Sequence, residues 1–190
     1  MRLLASVILA FTLATFAGLG ATWYATTRGV SFGTIALGAW AAHPKSGTQD
    51  IDPYARAAIA RSGELPLGSG DGVSFMAKSS DDGRRLDGRC DVTVSGSTPL
   101  ARYWTLTVHD ARGQVIANPL GRYGYTSAEI GRAADGRFDI VIAPRARAGN
   151  WIPSGEADEY VLVLRLYDTP VGLSTRNQLE MPSIKIGGCA

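Results

Sequence analysis

The stretch Arg102–Asp110, RYWTLTVHD, decides the fold. Trp104, Leu106 and Val108 alternate with Tyr103, Thr105 and Thr107, which is the period of two that a half-buried β-strand requires. The first set is expected to face a core and the second to face outward. Phe138, Ile140 and Ile142 alternate in the same way with Asp139, Val141 and Ala143. Further extended segments are expected at Val73–Lys78, Cys90–Ser95, Gln114–Ala117, Arg137–Ala143, Glu159–Asp168 and Ser183–Ile186, each rich in β-branched or aromatic residues.

The turns agree with the strands. Asp82-Gly83, Asp87-Gly88 and Asp135-Gly136 are dipeptides that tolerate the positive φ angles of tight hairpins, and Arg112-Gly113 follows Asp110 in the same role. Arg102–Asp110 is expected to pair with Gln114–Ala117 across that turn. Twenty-three glycines and little helical periodicity beyond the N-terminus complete the pattern of an antiparallel β domain. One short helix interrupts it, with Asp52 as N-cap, Pro53 at the first helical position, the run YARAAIARS, and Gly63 beyond its end. Arg61 in its last turn suits the helix dipole.

No charged residue occurs between Arg2 and Arg28. The run Leu3–Tyr24 would rise about 33 Å as a helix at ~1.5 Å per residue, enough to cross a hydrocarbon core of about 30 Å. Trp23 and Tyr24 stand where an interfacial aromatic belt belongs. A cleaved signal peptide is the competing reading of this segment. Its apolar region would be unusually long, and Leu19-Gly20-Ala21 puts a leucine at the outer position of the best cleavage site. The expected organisation is an anchor at 1–27, a linker with a short strand and helix at 28–71, and a β-sandwich at 72–190. Charge alone leaves the orientation open, since Arg2 and the terminal amine stand against Arg28 and Lys45.

The roughly 160 residues beyond the anchor are one domain's worth of chain, enough to bury about 68–70% of its unfolded surface. Nineteen Lys and Arg against 17 Asp and Glu give a net charge of +2, so nothing implies a nucleic-acid partner. Arg84-Arg85 and Arg145-Ala146-Arg147 read as solvated turns. His43, His109, Cys90 and Cys189 lack metal-ligand spacing, and no cofactor motif is present. His109-Asp110 could form a base and its carboxylate, but the preferred reading is a strand-end pair entering a turn. Asp81, Asp82, Asp87 and Asp91 suggest a calcium loop, but Arg84, Arg85 and Arg89 between them oppose it. No catalytic residue is assigned. Two cysteines in an exported domain ordinarily bond, so Cys90–Cys189 is the expected disulfide, with two free thiols as the alternative.

Two blocks carry a family resemblance. YWTLTVHDARGQVIANPLGRYGY (Tyr103–Tyr125) and GNWIPSGEADEYVLVLRLYDTP (Gly149–Pro170) resemble the signatures of the family known as domain of unknown function 1214. The closing Met181-Pro182-Ser183-Ile184 is similar to that family's Pro-x-Ile ending. The resemblance implies a jelly-roll-like β-sandwich in a bacterial exported or membrane-anchored protein, single-pass in the inner membrane with its domain in the periplasm. It carries no established activity or catalytic residues. Relatives often have a companion domain of unknown function before this one, which implies a partner protein supplying that domain in trans. The bilayer itself is the other expected partner, through the N-terminal helix.

Within the blocks, Arg122, Tyr123, Asn150, Trp151 and Arg165 are the candidate ligand-binding residues. Arg165 lies inside VLVLRLY, so its charge must reach solvent, a carboxylate or a ligand. It is expected opposite Leu164 and Leu166, meeting a carboxylate, a carbonyl or the ring of Tyr123 or Trp151 beside the Asn118–Tyr125 loop. Two functions stand against each other: an interaction or accessory module of the envelope, and an enzyme acting on a carbohydrate or other small polar substrate in a sandwich cleft.

Overall fold

The computed structural model describes residues 2–28, 33–62, 66–68, 70–155, 157–170 and 179–189. An apolar helix, α1 (Arg2–Arg28), precedes β1 (Ile35–Leu37), β2 (Trp40–Ala42) and a second helix, α2 (Pro53–Ser62). The strands β3 (Gly72–Ala77), β4 (Cys90–Gly96), β5 (Tyr103–Asp110), β6 (Gly124–Thr126), β7 (Phe138–Ala143), β8 (Asn150–Pro153), β9 (Tyr160–Tyr167) and β10 (Ser183–Cys189) follow. They form a six-stranded sheet in the order β1-β2-β3-β9-β5-β6 and a four-stranded sheet in the order β10-β4-β7-β8.

The inward faces of both sheets make one core. Trp104, Leu106 and Val108 of β5 are buried, as are Phe138, Ile140 and Ile142 of β7, so both alternations point as the sequence requires. The Trp104 and Phe138 rings meet across the sandwich with centroids 5.1 Å apart. Trp40 of β2 joins the same core, and its indole N–H donates to the Pro182 carbonyl at 2.7 Å, tying the six-stranded sheet to the approach to β10. The segment 28–71 thus contributes two strands to the sheet as well as a helix.

Two features depart from expectation. First, Arg102–Asp110 and Gln114–Ala117 do not form a full hairpin. The turn is built as read, with Asp110 Oδ1 accepting from the Arg112 and Gln114 amides at 2.8 and 2.9 Å. Pairing then stops at one bridge, His109 to Val115, because Ile116 turns to pack against the core. The edge of β5 is taken instead by β6, with Leu106 opposite Tyr125. Second, β7 and β8 run parallel, with Ile142 opposite Ile152, so the sandwich is not wholly antiparallel. The ladder covers only four residue pairs, and the chain regains its start through the loop 144–149, whose reach of roughly 20 Å exceeds the ~10 Å needed.

Helix α2 starts as read, Asp52 Oδ2 accepting from the Ala55 amide at 2.9 Å. Gly63, expected beyond its end, lies outside the described residues. Helix α1 is apolar and exposed along its length, and among the described residues it is the one helix long and apolar enough to cross a membrane.

Candidate functional site

The loop between β5 and β6 is ordered by Asn118. Its Oδ1 accepts from the Leu120 and Arg122 amides, both at 3.2 Å, while its Nδ2 donates to the Arg122 carbonyl at 2.9 Å. This arrangement delivers Arg122 and Tyr125 to the open end of the sandwich, where β6 and β8 are the edge strands of their sheets. The Tyr125 hydroxyl accepts from the Trp151 amide at 3.2 Å and reaches the Trp151 carbonyl at 3.5 Å. Arg122 Nη1 donates to that carbonyl at 3.3 Å, with its guanidinium 5.9 Å from the Tyr125 ring centroid. Trp151 Nε1 donates to the Ala143 carbonyl at 3.1 Å.

The Tyr125 and Arg122 contacts fall on the Trp151 main-chain groups that edge strand β8 would otherwise leave unpaired. A side chain of β6 and one from the loop before it thus occupy the open edge of the other sheet. Asn150 acts similarly on the far side of β8. Its Oδ1 accepts from the Gly131 amide at 2.9 Å, and its Nδ2 donates to the Gly131 and Asp139 carbonyls at 2.8 and 2.9 Å. The amide is thereby committed to backbone at both ends, and it pins the 131–137 loop against β8.

The pinned loop borders an open cleft of about 530 Å³ lined by Arg132, Asp135, Arg137, Asp139 and Asn150 among smaller residues. Arg132 stacks over the rim of the core, 5.7 Å from the Trp104 ring and 5.6 Å from the Phe138 ring, and donates to the Gly136 carbonyl. Among the described residues no ion pair joins these two arginines to the two aspartates, and both signs of charge line the cleft. The run RAADGRFD (Arg132–Asp139) held the signal for this site, but its Asp-Gly pair reads first as a turn.

The five sequence candidates therefore divide. Arg122, Asn150 and Trp151 gather at the β6–β8 edge. Tyr123 follows Arg122, is 40% exposed, and its carbonyl accepts from the Val108 amide at 3.0 Å. Arg165 stands apart. It emerges opposite Leu164 and Leu166, as expected, but on the outer face of the six-stranded sheet, between Ser74 and Thr105. Trp151 belongs to the other sheet, across the core, so the expected Arg165–Trp151 contact does not form. Among the described residues Arg165 has no hydrogen bond or ion pair, and it is half-buried, its stem lying on the sheet while its charge meets water.

The other polar candidates are engaged within the fold. His109 is buried, with Nδ1 2.9 Å from the Gly113 carbonyl and Nε2 2.8 Å from the Thr107 hydroxyl. The four aspartates are engaged separately from one another: Asp81 by the Ile184 amide, Asp82 by Ser80 and Arg84, Asp87 by Arg89, and Asp91 by Arg147 at 2.6 Å. Among the described residues no cluster of three or more His, Cys, Asp or Glu could hold a metal. Cys90 and Cys189 form a disulfide.

The fold and this edge define a two-sheet β-sandwich whose most distinctive polar residues close the gap between its sheets. The chain belongs to the family described as protein of unknown function (DUF1214), whose model matches residues 71–171. The structure is similar to the VPA0106 protein from Vibrio parahaemolyticus at 17% identity, with a TM-score of 0.61 over 93% of this chain. That match covers 44% of the Vibrio chain, so this chain spans less than half of its length. A weaker similarity, TM-score 0.41 at 21% identity, links 64% of this chain to 30% of an uncharacterised protein from Burkholderia cenocepacia. No curated protein matches.

Proposed function

We propose that this chain is a single-pass protein of the bacterial inner membrane whose β-sandwich stands in the periplasm as an interaction or accessory module of the envelope. The observation that carries this reading is the Cys90–Cys189 bond, because structural disulfides persist in exported proteins and are rare in the reducing cytosol. The exposed apolar helix α1 supports it by supplying the anchor. The partner in this proposal is a protein carrying the companion domain of unknown function, as the family resemblance implies.

Three measurements test the reading. Protease added to spheroplasts should digest the sandwich while a fragment containing α1 stays with the membrane; a domain protected until lysis would reverse the orientation. Intact mass should show a retained N-terminus, and a new start near Ala21 or Thr22 would replace the anchor with a cleaved signal. Cross-linking of the intact anchored protein should recover a chain with the companion domain, and recovery of the protein alone removes that partner.

The cleft favours a second reading, action on a small polar ligand, because Asp135 and Asp139 face it beside Arg132 and Arg137. Both aspartates are exposed, whereas a catalytic acid of the glycosidase kind is set by an apolar pocket. Backbone resonances of Gly131 and Gly149 that shift on titration with oligosaccharides, followed by turnover that Asp139→Asn abolishes, would establish it.

A further inference from the structure

The end of α1 provides a depth mark. Trp23 and Tyr24 are both exposed, and aromatic side chains of this kind settle at the boundary between hydrocarbon and headgroups. Thr26 follows two residues later, about 3 Å further along the helix. There α1 and α2 pack together, and Arg61 Nη1 donates to Thr26 Oγ1 at 3.3 Å. The headgroup layer is about 5–7 Å deep on each side of a bilayer. The Arg61 guanidinium therefore lies within it for any ordinary tilt of α1.

The exposed face of α2 suits that position. At about 100° per residue, exposed Arg56 and Ala60, part-buried Ala57 and exposed Arg61 succeed one another around one side of the helix, opposite buried Ala55 and part-buried Ile59. Small residues at the centre let the helix approach a surface closely, and an arginine flanks them on each side. Tyr54, 44% exposed, sits beside Arg61. The helix contains no acidic residue, and the preceding Asp52 is engaged in the cap. Arg56 donates through Nη2 to the Gln49 carbonyl at 3.0 Å. Each guanidinium has five donors, so most of each fork remains open to a phosphate.

We propose that α2 is a second membrane contact, lying in the headgroup layer with Arg56 and Arg61 binding anionic phospholipid headgroups. The inference rests on the reading of α1 as a retained span. Its consequence is that α2 adds a charge-dependent hold on the bilayer to the apolar hold of α1.

The test uses the full-length protein in nanodiscs of phosphatidylcholine alone or with phosphatidylglycerol added, followed by amide hydrogen exchange of α2. Anionic lipid should slow exchange across Arg56–Arg61 by about fivefold per arginine, the factor equivalent to ~1 kcal/mol per cation at an anionic surface. Arg56→Gln with Arg61→Gln should remove the difference, and Arg56→Lys with Arg61→Lys should keep most of it, while exchange in β4 and β9 stays unchanged in all variants. Equal protection in the two lipids, with the chain incorporated, overturns this inference alone. A chain that does not incorporate because its N-terminus has been removed overturns both the anchor and the contact built on it.

Discussion

Tyr160 is 2% exposed, and among the described residues its buried hydroxyl has no hydrogen-bond partner. Burial, with Asp87 adding to it, pushes its phenol well above the usual value. An unsatisfied buried hydroxyl costs about 1–3 kcal/mol, whereas the ring contributes packing. Tyr160→Phe should therefore stabilise the fold by about 1 kcal/mol, read as a higher urea midpoint at unchanged m; a lower midpoint would mean that the hydroxyl is satisfied in solution. At the surface, Asp82 and Asp87 are both held at about 2 against the ordinary 3.8, Asp82 first by the Ser80 hydroxyl and then by Arg84, Asp87 by Arg89. On acidification the unfolded chain takes up these protons first. Whatever stability the two carboxylates add is thus complete above about pH 4 and lost as pH falls from there towards 2. Carboxyl NMR titration should find both midpoints near 2, and midpoints near 4 would show that these contacts do not persist. Arg165 shows where residue-level reading ends: alternation along VLVLRLY places it opposite Leu164 and Leu166, but the neighbours on that face come from β3 and β5, whose order no local pattern encodes.

Long strands with one buried face were legible because burial imposes alternation, as in β5, β7 and β9. The short ones were not. Gly124-Tyr125-Thr126 and Asn150-Trp151-Ile152-Pro153 have no such pattern, and their extended form follows from the edges they attach to rather than from their own propensity. Glycine at 124 is what permits the first attachment. A Cβ there would stand 2.1 Å from the Leu106 carbonyl oxygen, so the close approach of β6 to β5 excludes a side chain. Gly124→Ala should detach β6 and carry Arg122 and Tyr125 away from Trp151. The expected loss is about 2–3 kcal/mol, the range for a disrupted backbone approach with broken hydrogen bonds. Hydrogen exchange localises the effect, because the Val108 and Ser127 amides, which donate to Tyr123 and Trp104, bracket β6. Faster exchange at these two amides, with β4 and β7 unaffected, is the expected result; uniform acceleration would mean global destabilisation instead.

Across the whole molecule, the two-layer β architecture follows from the strand pattern, while the allocation of strands to sheets does not, since both sheets bury the same kinds of residue. The parallel β7–β8 pair, the entry of Trp40 into the core and the cleft beside Asn150 all arise from tertiary pairing. The disulfide is the long-range link that composition did suggest. Cys90 and Cys189 face each other at the end of the β4–β10 ladder, with a sequence separation of 99. Closing a loop of that size removes unfolded-state entropy equivalent to about 4.7 kcal/mol in the chain-entropy model. Strand β10 has other holds as well: Ile184 is fully buried opposite Val94, and its amide and carbonyl both bond to Asp81. Cys90→Ala with Cys189→Ala should consequently keep the native sandwich and lose about 2–5 kcal/mol through a freer unfolded chain. Urea unfolding of that variant and of the reduced wild type should show the same fall in midpoint, with native backbone resonances of β10 retained before the transition. Complete thiol release with no change in midpoint would show that the bond constrains nothing the folded strands do not already fix.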